Sequence, residues 1–255
     1  MINHKHILLL FVFSTTIGFS QIATVGEAIN KAGRQRMLSQ RMAKDYMLIG
    51  SGNKVEEATK ELDDASTLFN ETHNELMLFC KTEGALESLG LVNMLWKKYR
   101  QKVLSTPDIE NAASVISDAN NLTNACNVVV DKIVSESNSK KAMLPNICGR
   151  QRMLSQRMAL IYTAYAWQVG SKTLSRELEN TIDEFQKGLT TLIESSENTD
   201  EINTILRLQA SEWEFLKNSF DLNNSRLSPT QVFSSTNLVI RILILQQNFT
   251  QNCCN

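Results

Sequence analysis

The chain of 255 residues has little of what turn-rich and catalytic proteins rely on. Three prolines and ten glycines are too few to punctuate a protein of short strands, so long helices are expected. Of the three histidines, His4 and His6 fall in the first twenty residues. A Ser-His-Asp triad or a multi-histidine metal centre would therefore rest on His73, and neither an enzymatic role nor a metal or other cofactor is expected. The net charge of −1 gives no ground for binding nucleic acid. No later apolar run approaches the ~20 residues that span a bilayer; the best, Leu238 to Leu245, is short and carries Arg241. Cys80, Cys126, Cys148, Cys253 and Cys254 fit no zinc spacing, and their odd number leaves at least one outside any intrachain disulfide. The spacing specifies no pairing.

What is present begins with Lys5 and His6, a short apolar run from Ile7 to Phe13, and small or polar residues up to Ser20. This pattern reads as a secretory signal peptide over residues 1–20, cleaved before Gln21. The expectation is a periplasmic or secreted protein that does not span the membrane.

The string GRQRMLSQRMA occurs twice, from Gly33 to Ala43 and from Gly149 to Ala159, which marks an internal duplication. Asn30 matches Asn146 at the same spacing from the repeat, Trp96 lies one position from the counterpart of Trp213, and Thr106-Pro107 echoes Ser228-Pro229. The units are residues 21–140 and 141–255. Apolar residues at three- and four-residue spacing predict four helices in each. They run from Val25 to Ile49, Lys54 to Phe79, Ala85 to Leu104 and Pro107 to Ser135, then from Met143 to Val169, Lys172 to Ser195, Asp200 to Leu222 and Pro229 to Asn252. Thr106 and Ser228 suit the N-cap, with proline in the first helical position. Short connections make neighbours antiparallel, so the fold class is all-α, with two tandem up-down four-helix bundles. His73, Trp96 and Trp213 are expected in the bundle cores.

At 100° per residue, Ile29, Gly33, Arg36, Gln40, Ala43 and Met47 fall on one stripe, and Pro145, Gly149, Arg152, Gln156, Ala159 and Thr163 on its copy. Leu38, Met42 and Ile49 lie on another face, toward the bundle. The first helix of each unit thus has a second partner, and the simplest is its own counterpart. Such a seam would carry Arg36 and Arg152 inward, at a cost of several kcal/mol per ion without compensation. Ala28 to Lys44 contains Lys31, Arg34, Arg36, Arg41 and Lys44 and no acidic residue; Ser137 to Arg176 is likewise basic without an acid. The missing counter-charge points to an anion supplied from outside, which paired guanidinium donors suit. Ser39 and Ser155 are read as bonding locally within their helices.

INKAGRQRMLSQRMAK (Ile29 to Lys44) resembles the signature of the PilJ-type sensory domain, found at the N-terminus of type IV pili methyl-accepting chemotaxis transducers. It also resembles the periplasmic P-box of NarX-like nitrate and nitrite sensors. The second copy, NICGRQRMLSQRMAL (Asn146 to Leu160), carries Cys148 where alanine is usual. In NarX-like sensors the four-helix bundle dimerises and the anion sits between two P-box helices, against the motif glycine and the arginine three residues on. The resemblance therefore implies ligand contacts from Gly33, Arg36, Gly149 and Arg152, and an intramolecular pseudo-dimer made by the two bundles. Arg34 and Gln35 stand where the nitrate sensors have other residues, as is common in PilJ-like domains.

The expected function is an exported sensor-type protein binding a small oxyanion, nitrate or nitrite preferred, that serves a membrane-bound signalling partner. Arg34, Arg41, Arg150 and Arg157 lie on other faces and are secondary candidates for the ligand, or structural. The alternative is a helical interaction module whose basic groove takes an acidic partner and no small ligand.

Overall fold

The computed structural model describes residues 22–137, 143–170, 173–222 and 228–237. These form helices α1 (Val25–Gly50), α2 (Val55–Phe79), α3 (Glu83–Val103), α4 (Ile109–Ser137), α5 (Met143–Ala166), α6 (Leu174–Ile193) and α7 (Asp200–Lys217). A 3₁₀ turn, Asn218–Phe220, extends α7, and α8 occupies 229–237. No strand occurs among the described residues, and the fold is all-α as expected. Residues 1–20, expected above to be a signal peptide, the rest of the helix expected up to Asn252, Cys253 and Cys254 lie outside the described residues.

Local chemistry sets the helix starts. Thr24, Thr82 and Thr199 each accept a hydrogen bond on Oγ1 from the backbone N–H three residues on, at 3.1–3.3 Å, satisfying one of the unpaired donors of the first turn. The cap expected at Thr106 has moved. Helix α4 begins at Ile109, and Asp108 Oδ1 accepts from Glu110 N at 3.1 Å. The reason is Tyr46, whose hydroxyl accepts from Asp108 N at 2.8 Å and pins that turn to α1. In the second unit Tyr162 does the same for Ser228 N at 3.1 Å.

Contacts between side chains fix the helix directions. Along α1, Lys31, Arg34 and Lys44 meet Glu75, Thr72 and Glu61 of α2, so these helices are antiparallel. Arg36, Gln40 and Tyr46 meet Asn127, Thr123 and Asp108, and α4 also runs opposite to α1. Thr82 with Glu136 and Lys102 with Asp118 set α3 against α4. In the second unit Arg150 and Arg157 meet Glu184 and Glu177, making α5 and α6 antiparallel. This is up-down bundle packing.

The two bundle cores carry the same aromatic device. Phe69 stacks on Trp96 with ring centroids 4.3 Å apart, and Phe185 lies 4.4 Å from Trp213. Each pair contributes about 0.5–1.5 kcal/mol beyond the burial of its area. Both tryptophans and His73 are buried, as their apolar stripes predict. Burial holds the His73 imidazole below its ordinary pKa.

Helix α1 also packs along α5. Gly33 lies against Gly149, Arg41 Nε donates to Gln156 Oε1 at 3.3 Å, and the Trp167 ring covers Gly50. The contacts advance together along both helices, at or within one residue of equivalent positions, so α1 and α5 run parallel. Every residue of both predicted stripes is buried.

The arginine seam as a candidate functional site

The repeated glycines bring the backbones of α1 and α5 into contact. A Cβ built on Gly149 would lie 3.5 Å from Gly33 Cα, and one on Gly33 would lie 3.6 Å from Gly149 Cα. That separation lets the next turn of each helix bring its arginine into the seam. Arg36 is 2 % exposed and Arg152 3 %. The space a side chain would take at Gly149 is filled by Arg36 Nη2, 2.8 Å from such a Cβ. The glycines thus admit a guanidinium as well as a neighbouring backbone.

Each arginine reaches across the seam to the other copy. Arg36 Nη1 donates to Asn146 Oδ1 at 2.9 Å and Nη2 to Asn146 O at 3.2 Å; Nη1 also donates to Asn127 Oδ1 at 3.0 Å on α4. Arg152 Nη2 donates to Asn30 Oδ1 at 3.0 Å. Nε of both arginines has no hydrogen-bond partner among the described residues. No carboxylate of the described residues forms an ion pair with either.

The electrostatic result is two buried cations with no ion-paired carboxylate among the described residues. Burial, with the charge of Arg150 adding to it, brings Arg36 down to about 10, while Cys126 and the carboxylate of Asp131 act in the opposite direction. Burial brings Arg152 down to about 9; Cys148 opposes this, while Arg36, Arg34 and Arg41 add to it. Desolvation leads in both, as expected for a guanidinium removed from water.

The remaining repeated arginines have other partners. Arg34 donates to Thr72 Oγ1 at 3.0 Å, with the charges of Glu75, Glu71 and Glu27 near it. Arg150 pairs with Glu184. Arg41 lies 3.5 Å from Glu61, and Arg157 3.2 Å from Glu177 while donating to Asn120 at 2.9 Å. Beside these last two pairs lie pockets of about 320 Å³ and 360 Å³. The first is lined by Leu38, Arg41, Glu61 and Phe233 among others, the second by Ser117, Asn120, Asn121 and Glu177 among others. Ser39 and Ser155 bond to the carbonyls of Gln35 and Arg152 within their own helices, at 2.9 and 2.8 Å. Cys80, Cys126 and Cys148 are buried with no disulfide among the described residues.

Two sets of residues were not assigned a role from sequence. Asn30 and Asn146 hold the seam arginines; their match outside the repeated string was the visible signal. Lys44 and Asp45 form a fully buried pair at 3.1 Å, and only the reading Leu160-Ile161 at the same place in the second copy sets them apart.

No group of histidine, cysteine or acidic residues able to hold a metal occurs among the described residues. No helix among them is long and apolar enough to cross a membrane. Neither a curated protein nor a solved structure matches the chain. The family model described as the N-terminal part of type IV pili methyl-accepting chemotaxis transducers, PilJ, matches residues 19–119 and 133–221. Its two segments fall one on each copy of the repeated helix, α1 in the first and α5 in the second. The chain belongs to the PilJ family of chemotaxis-transducer sensory domains, in two tandem copies.

Proposed function

We propose that this protein is an exported, periplasmic or secreted sensor-type binder that takes one small oxyanion, nitrate or nitrite preferred, between α1 and α5. Arg36 and Arg152 supply the positive charge, and Gly33 and Gly149 the close approach. The two bundles act as the halves of a pseudo-dimer, and the anion draws the halves together for a membrane-bound partner to read. One observation carries the reading: two guanidiniums at 2 % and 3 % exposure face each other's helix with asparagine as their partner and, among the described residues, no carboxylate in an ion pair with either. An unpaired buried ion is costly; an anion between the two offsets that cost twice. Such deep burial favours a small ion over an acidic segment of a protein, which needs its guanidiniums at the surface.

The test is thermal unfolding against sodium salts of nitrate, nitrite, chloride, sulfate and acetate at constant ionic strength. A ligand at 100 times its Kd stabilises the native state by about 2.7 kcal/mol. At about 2–4 °C per kcal/mol for this chain length, the melting temperature should rise by roughly 5–10 °C with nitrate or nitrite. Arg36→Ala and Arg152→Ala should each lose that shift with helix content intact. Equal shifts with every salt, or shifts that survive in both variants, overturn the reading.

A further inference from the structure

We propose that Asn30 and Asn146 determine the anion affinity and selectivity of the seam, as neutral stand-ins whose amide oxygens hold Arg152 and Arg36 until an oxyanion displaces them. The inference rests on the anion-binding reading and adds to it the residues that a ligand must replace.

The geometry has three parts. The asparagines are exchanged between copies: Asn146 of the second holds Arg36 of the first, and Asn30 of the first holds Arg152 of the second. Both bonds end on a side-chain oxygen at 2.9–3.0 Å, the distance at which an oxyanion would accept from the same Nη atoms. Both asparagines are only partly buried, whereas both arginines are buried. The amides therefore stand between the cations and solvent, where an entering ion meets them first. A neutral amide oxygen satisfies a guanidinium's hydrogen bond without neutralising its charge, so an anion offering the same acceptor geometry gains the Coulomb term in addition.

The two holds are unequal. Arg36 has Asn127 Oδ1 and the Asn146 carbonyl as further acceptors; Arg152 has only the Asn30 bond among the described residues. Displacing Asn30 frees Arg152 outright, while displacing the Asn146 amide leaves Arg36 anchored and aimed. Arg152 is accordingly the arm that moves onto the ligand, and Arg36 the fixed one. Planar three-oxygen anions, which span two guanidiniums edge to edge, suit this arrangement better than a single halide ion.

The experiment uses four variants of the full chain, Asn30→Asp, Asn146→Asp, Asn30→Ala and Asn146→Ala, with melting in the absence of anion and calorimetric titration with sodium nitrate. Aspartate has the shape of asparagine and adds a tethered anion. Each Asp variant should melt higher than the parent without nitrate, by several degrees, and bind nitrate at least about tenfold more weakly. Each Ala variant should melt lower and bind nitrate about tenfold more tightly, because hydrogen bonds to a charged group no longer have to be broken. Asp variants that melt at or below the parent overturn the proposal even if the parent binds nitrate. Ala variants with unchanged or weaker nitrate binding overturn it as well. If the parent fails to bind nitrate while the Asp variants still gain stability, the anion reading falls and takes this proposal with it, and the asparagines are structural partners of the arginines only.

Discussion

Gly33 and Gly149 touch across the α1–α5 seam so closely that a methyl group on Gly149 would sit 3.5 Å from Gly33 Cα and 2.8 Å from Arg36 Nη2. The first distance is ordinary van der Waals contact; the second forces the neighbour to move. That neighbour is the far end of a flexible side chain. Gly149→Ala should therefore leave the helices in place and displace Arg36 from Asn146.

The helix itself gains about 1 kcal/mol when alanine replaces glycine in its interior, which only partly offsets the two lost Arg36–Asn146 hydrogen bonds at about 1.5–3 kcal/mol each. The expected outcome is a stability about 2–5 kcal/mol below the parent, with the helices retained and nitrate binding lost. Circular dichroism melting read beside nitrate titration checks it. Gly33→Ala meets Arg36 Nη2 at 3.1 Å and should be the milder of the two. Unimpaired nitrate binding in Gly149→Ala would show that Arg36 need not occupy that space.

Alkaline pH should switch off the site. Burial and the neighbouring positive charges bring Arg152 down to about 9, well below the ordinary guanidinium range. An anion binds the charged form, so affinity should be level between pH 6 and 8 and fall as pH rises through about 9. Once Arg152 has lost its proton, the loss should approach tenfold per pH unit. Stability follows the opposite sign. Above about 9 the unfolded chain holds a proton on this residue that the native state has released, so this contribution to stability rises with pH. Binding therefore fails there for a reason separate from unfolding. Titrations at pH 7, 8.5 and 10, each paired with a helicity measurement, separate the two; affinity level through pH 10 would contradict the lowered value.

Much of this site is legible in the sequence because a helical stripe is a local property. Gly33, Arg36, Gln40 and their copies lie on one face whatever surrounds them, and the structure buries that face. The helix ends were readable to within two or three residues where a threonine caps them, as at Thr24, Thr82 and Thr199. Thr106 misled because the competing force is tertiary: Tyr46, distant in sequence, takes the Asp108 N–H and shifts the start of α4. Asn30 and Asn146 were visible as a match but silent as partners. Each serves the arginine of the opposite copy, a relationship that exists only once α1 and α5 lie parallel. The identity of the seam's partner helix follows from the duplication; which atoms meet there does not.

Acid should act through His73. Its imidazole is 5 % exposed, its Nδ1 has no hydrogen-bond partner among the described residues, and burial holds its pKa below the ordinary 6.5. As pH falls through 6.5 the unfolded chain takes up a proton that the native state resists. Stability is therefore present above pH 6.5 and lost on acidification, by at most about 1.4 kcal/mol per pH unit. Urea unfolding at pH 7, 6 and 5 should give a steeper loss for the parent than for His73→Leu, which has no proton to gain. Parallel slopes would mean that the imidazole accepts its proton in the fold.

The buried pair Lys44–Asp45 offers a comparison that the chain has already made with itself. Lys44 Nζ lies 3.1 Å from Asp45 Oδ1 and 2.5 Å from Glu61 Oε2, and 4.5 Å above the Phe233 ring. Both Lys44 and Asp45 are fully buried, and desolvation raises Asp45 well above the carboxylate range against the pull of Lys44. The second copy places Leu160 and Ile161 there, both buried and apolar. Replacing a buried ion pair by apolar residues is often neutral or stabilising, whereas removing one partner costs about 3–5 kcal/mol. Lys44→Leu alone should fall in that range, since it leaves Asp45 facing Glu61 with no cation between them. Lys44→Leu combined with Asp45→Ile should return to within about 1 kcal/mol of the parent or exceed it, because Glu61 keeps Arg41 at 3.5 Å. The double-mutant cycle then yields a coupling of at least about 2 kcal/mol by urea denaturation. Additive losses in the double variant would mean that the charges serve the first bundle in a way Leu160 and Ile161 do not serve the second.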